Sequence, residues 1–185
     1  MNDVLVRIVN IAASALESED RFVLGCLRAN RAAYPEGDGG ILRINNERYY
    51  QFIITRALFS SFEYLVKPEV ADHDLIAFYP SSEKWFAVVE MKRWMSPKGK
   101  QELPAIRRDV IKLREETRAN LRLMLIFSAN PEGSTKENIK WLCENLDTTQ
   151  VLSEGDLYHR VFQTVGSDGQ PLEFWVGAFE VEGKA

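Results

Sequence analysis

His73-Asp74-Leu75-Ile76-Ala77-Phe78-Tyr79-Pro80-Ser81-Ser82-Glu83-Lys84-Trp85-Phe86-Ala87-Val88-Val89-Glu90-Met91-Lys92 is the stretch on which the fold turns. Two runs rich in β-branched and aromatic residues flank a cluster of turn formers, the pattern of two antiparallel strands joined near Ser81-Ser82. A shorter run at 64–66 precedes them across a gap containing Pro68, so the segment predicts a three-stranded meander. Side chains alternate across a strand, which puts Glu90 and Lys92 on one face about 6.7 Å apart along the chain and Met91 on the other. Asp74 opens the preceding strand, and an antiparallel hairpin brings it beside Glu90. A slip of register gives that place to Asp72 instead. Two carboxylates beside one lysine resist burial unless a counter-charge joins them. A divalent cation supplies it: Mg²⁺ takes hard oxygen ligands, and Asp74, Glu90 and the Met91 carbonyl offer three. The chemistry such a centre supports is phosphodiester hydrolysis, with Lys92 orienting or deprotonating the nucleophile or pairing with the phosphate.

Outward from the meander the period becomes helical. Val4, Leu5, Ile8, Ala12 and Leu16, then Phe22, Val23, Cys26 and Leu27, predict two packed N-terminal helices forming an extension over 1–40. Residues 34–40 read as a loop; its Gly37-Asp38-Gly39-Gly40 lacks the Lys-Ser/Thr that follows in a phosphate-binding loop. Asn45 or Asn46 caps a third helix, with Glu47 in its first turn and Tyr50, Ile53, Ile54 and Leu58 on its apolar side. Beyond the meander come a helix at 104–120 with Pro104 in its first turn, a strand at 121–128, and a helix opening at Ser134 or Thr135. Residues 161–165 and 172–181 flank Gly166-Ser167-Asp168-Gly169 as a C-terminal hairpin within 154–182. The order is α/β in one domain, with its core at 45–146.

At 185 residues, 45% hydrophobic and 27% charged, the composition is that of an ordinary globular domain and excludes a disordered or coiled-coil chain. No apolar run approaches the roughly 20 residues a membrane helix needs. The start, Met1-Asn2-Asp3, has no basic leader, and Arg7 interrupts the apolar stretch of a secretory signal, so the expected location is cytoplasmic with no membrane partner. Cys26 and Cys143 suggest neither a disulfide framework nor a metal cage and read as buried, reduced thiols. The net charge of −4 hides an uneven distribution. Residues 92–122, with Lys98 and Lys100 among them, hold ten basic and four acidic side chains, net +6, whereas the remaining 13 basic and 23 acidic residues leave −10. A basic segment of this kind suits a polyanion such as nucleic acid, or else forms a solvated helix face.

Asp74, fifteen intervening residues, then Glu90-x-Lys92, preceded by a helix bearing Glu47 and followed by a basic helix and a strand, resembles the PD-(D/E)XK nuclease superfamily. The resemblance spans roughly 45–146, and His73 stands where the family's name has proline. It implies a restriction-endonuclease-like, three-layer core in which helices flank a mixed sheet. It implies an endonuclease dependent on Mg²⁺ or Mn²⁺, acting on DNA in preference to RNA. Asp74, Glu90 and Lys92 would be catalytic, Glu47 would join the metal site, and Gln101, Arg107, Arg108 and Lys112 would contact substrate. A nuclease-like domain that binds nucleic acid or a protein without catalysis is the alternative, and pairing through the C-terminal hairpin would make a homodimer.

Simpler readings accompany these residues. Glu90 and Lys92 can form a surface ion pair, Asp74 can be a turn residue, and Glu47 can be a first-turn helix anion. His73 reads as a hydrogen-bonding surface group, with assistance to a metal or phosphate as its other role, and His159 has less to suggest function. Trp85, Trp94, Trp141 and Trp175 read as packing residues, Trp94 alone having a stacking alternative.

Overall fold

In the computed structural model, which describes residues 2–34, 39–44, 46–80, 84–94, 100–146 and 152–184, the meander forms as read. β1 (Leu65–Val70), β2 (His73–Phe78) and β3 (Trp85–Trp94) pair antiparallel, with Leu75 opposite Val89 and Phe78 opposite Trp85. The expected turn at Ser81-Ser82, the Asn45 capping alternative, Lys98 and the centre of the 34–40 loop lie outside the described residues. Pro68 falls within β1, opposite Leu75, and not in a gap. The position is tolerated because β1 is an edge strand, where one side of the backbone has no ladder to complete.

β3 runs through α3 (Leu103–Glu115) into β4 (Ala119–Pro131), which pairs parallel to it, as a helical crossover allows. The hairpin of β5 (Tyr158–Val165) and β6 (Pro171–Glu180) adds to β4 through β6, giving one mixed sheet in the order β1-β2-β3-β4-β6-β5. Gly169, at φ 79°, takes the left-handed conformation its turn needs. α1 (Asp3–Ala29) and α2 (Glu47–Ser61) cover one face, packing on Leu75, Ala77, Val89 and Met91. α3 and α4 (Thr135–Asn145) cover the other, packing on Ile76, Val88 and Trp94. The protein is thus α/β, a six-stranded mixed sheet flanked by helices.

Three expectations change. The two N-terminal helices are one, because no proline interrupts residues 17–21 and a Glu17–Arg21 pair spaced i,i+4 spans the expected break. That helix is no appendage: Leu5, Ile8, Val9, Ala12 and Leu16 belong to the same buried cluster as Ile54 and Phe174. Buried Asp20 ties it down, accepting from the Ile41 N–H at 2.9 Å and the Thr164 hydroxyl at 2.8 Å. The helix expected at 104–120 ends at Glu115, ceding its last residues to β4. Cys26 is exposed and Cys143 half-buried, and both are free thiols. Among the described residues no helix is long and apolar enough to cross a membrane.

Candidate active site

Asn46 caps α2 by accepting from the Arg48 N–H at 3.0 Å, which leaves the next side chain, Glu47, available to reach the sheet. Its carboxylate meets β3 twice, at the Lys92 ammonium (3.1 Å) and the Arg93 N–H (2.9 Å). Glu47, which the resemblance implied in a metal site, pairs here with Lys92. From the opposite layer Asp109 of α3 stands 3.8 Å from the same ammonium. Lys92 therefore sits between the two helical layers near the end of its strand. Burial pulls its ammonium down, but Glu47, Asp109 and Asp74 outweigh that and hold it above the ordinary lysine value.

Asp74 reaches β3 through its Oδ2, which accepts from the Met91 N–H at 2.7 Å. Asp72 stays in the β1–β2 turn, where its carbonyl accepts from Lys112 at 2.6 Å. Burial pushes the Asp74 carboxyl up to about 6; the Met91 hydrogen bond opposes the rise, and the charge of Glu90 adds to it. The Met91 carbonyl, expected as a third oxygen, accepts from Gln51 at 3.3 Å.

Glu90 departs furthest from its expected setting. It is 2% exposed, and its Oε1 receives both His73 Nδ1 at 2.5 Å and the Lys112 ammonium at 2.7 Å. His73 is buried and not a surface group: its Nε2 faces Glu116 Oε2 at 3.1 Å, so both contacts are satisfied when both ring nitrogens donate. Glu116 is in turn forked by Arg118, whose hydrogen bonds hold its carboxyl down at about 2 despite burial. Glu90 is thus secured from the α3 layer, whereas Asp74 lines a cleft with residues of α2. The charge of Glu90 nevertheless acts on Asp74.

Sequence reasoning missed Asp109 and the His73–Glu116 link. Asp109, Lys112 and Glu116 are spaced three and four apart, the interval that puts side chains over one another on a helix, and that was the available signal. Among the expected substrate contacts, Arg107 caps α4 by donating to the Asn145 and Leu146 carbonyls at 2.7 and 2.8 Å. Lys112 is engaged within the site, while Lys100, Gln101 and Arg108 lie on the exposed surface. Trp94 is 2% exposed and packs on Trp141 and Trp175, so it offers no ring to a base.

Among the described residues no three His, Cys, Asp or Glu side chains stand close enough to share a metal ion. The rise at Asp74 comes first from burial, with the charge of Glu90 adding to it and Lys112 and Lys92 opposing it.

The Asp74 charge costs stability. Above about pH 6 Asp74 is ionised in the folded and the unfolded chain, and the folded chain carries the penalty; between 6 and the ordinary aspartate range folding favours proton uptake, and the penalty fades. Asp74→Asn keeps an acceptor for the Met91 N–H and removes the charge. It is expected to stabilise the protein by about 1–3 kcal/mol at pH 8, with the gain lost toward pH 4. Urea denaturation at both pH values checks this, and a less stable variant at pH 8 contradicts it. No protein-family model, curated protein or solved structure matches this chain.

Proposed function

We propose that the protein is a restriction-endonuclease-like, Mg²⁺- or Mn²⁺-dependent endonuclease, cutting DNA in preference to RNA. One observation carries the reading: Lys92, held between Glu47 and Asp109, lies in the electrostatic field of Asp74 at the ends of β2 and β3. Asp74 and Glu90, with the Met91 carbonyl, would hold the cation. When bound, it would acidify a water and neutralise phosphate charge. Glu47 and Asp109 hold the Lys92 ammonium in place, and the field that raises its pKa keeps it protonated at neutral pH. Lys92 therefore acts as a fixed positive charge on the phosphate and not as a base. Lys112 supplies counter-charge to Glu90, so a cation approaching that carboxylate competes with it.

The test is incubation of the purified protein with single-stranded and duplex oligonucleotides in Mg²⁺ or Mn²⁺. Products are expected with metal and none with a chelator, and none with Asp74→Asn. A second reading, a nuclease-like domain that binds nucleic acid or a protein without cutting, is favoured by the seal of His73 and Lys112 over Glu90. Salt-dependent binding with no product in either metal would establish it in place of the first.

A further inference from the structure

Asp74 also lines a cleft of about 210 Å³ between α2 and the end of β1. Arg48, Gln51, Phe52 and Thr55 form one wall, at the spacing that aligns side chains on one helix face, and Pro68 and Glu69 form the other. The cleft is continuous with the proposed centre, because Gln51 lines it and also donates to the Met91 carbonyl. Phe52 is 59% exposed, with the Arg56 guanidinium 5.8 Å from its ring centroid. A large ring left in water beside two arginines is the surface on which a nucleobase stacks while its phosphate finds a cation.

In the opposite wall Glu69 lies at φ 51°. Ala71 and Asp72, at 52° and 66°, form the two-residue turn between paired Val70 and His73, a turn that takes positive φ at both positions. The volume is below the roughly 300–1,000 Å³ of pockets for drug-sized molecules, a size for one ring system. A duplex keeps its bases stacked inside and offers the cleft no free ring.

We infer that this cleft takes one unpaired nucleotide of a single-stranded or locally opened nucleic acid, its base on Phe52 and its phosphate at Arg48. The inference rests on the nuclease reading for the fate of the strand, and its binding step is testable without it.

Fluorescence anisotropy with labelled oligo-deoxythymidylate, oligo-uridylate and a blunt duplex, in chelator, measures binding with no cleavage. Tighter binding of either single strand than of the duplex is expected. Phe52→Ala should weaken single-strand binding about tenfold and leave the duplex affinity unchanged. Because Phe52 is exposed, its melting temperature should stay at the wild-type value. Phe52→Trp should restore binding, with the added indole quenched by the strand. Wild-type affinity in Phe52→Ala, or an equal loss on the duplex, overturns the inference. Lack of metal-dependent cleavage would count against the nuclease reading and leave these affinities as they are.

Discussion

Glu90→Ala is expected to destabilise the protein by about 3–5 kcal/mol, the cost of breaking a buried ion pair by removing one partner. The carboxylate is 2% exposed and joins His73 to Lys112, so its loss leaves His73 Nδ1 facing the void, with only the Glu116 contact at Nε2, and leaves the Lys112 ammonium with the Asp72 carbonyl. Lys112 is 34% exposed and can turn toward water, whereas His73, at 3%, cannot. The histidine therefore sets most of the cost. Glu90→Gln keeps the shape and one acceptor and should lose about 1–3 kcal/mol. Urea denaturation of the metal-free protein near pH 7 separates the two variants, and wild-type stability in Glu90→Ala would show that the buried network does not form. The consequence reaches function: loss of cleavage in Glu90→Ala would not by itself distinguish a missing ligand from a damaged fold.

The hairpin was legible because two short runs rich in β-branched and aromatic residues flank a cluster of proline and serine; its register stayed open between Asp74 and Asp72 until the pairing of Leu75 with Val89 decided for Asp74. What surrounds Glu90 was not. His73 and Glu116 are 43 residues apart, and their contact depends on how α3 lies over β3, a tertiary fact with no local period. Asp109 was hidden in a run whose net charge is positive, although its spacing to Lys112 placed it on the face that meets the sheet. The continuity of α1 was obscured because its polar residues at 17–20 break the apolar stripe; Asp20 nevertheless faces inward, as a tie to Ile41 and Thr164. Apolar pattern reports burial by hydrophobic side chains and is silent about burial secured by hydrogen bonds.

Lys92→Met is expected to slow metal-dependent cleavage by about 10²–10³-fold, the scale of removing one preorganised group that stabilises transition-state charge. Stability should change little, because the side chains left behind, Glu47 and Asp109, are 33% and 21% exposed and retain access to water. The methionine chain replaces the lysine stem, so the packing between α2 and β3 persists. The pH dependence separates this role from that of a base. A lysine acting as base would need its proton removed near neutrality, but the surrounding carboxylates hold Lys92 above the ordinary lysine value. No gain in rate from its deprotonation is therefore expected between pH 7 and 9, and the variant should be slower by the same factor throughout. Lys92→Arg keeps a positive charge and should recover part of the rate, limited by the wider guanidinium between Glu47 and Asp109. Single-turnover cleavage in Mn²⁺, with calorimetric titration of Mn²⁺ into each variant, checks both halves: metal binding should survive in Lys92→Met while turnover does not. Undiminished turnover would assign the hydrolysis to another part of the molecule, and loss of Mn²⁺ binding would make Lys92 a support of the cation site in place of a contact to the phosphate.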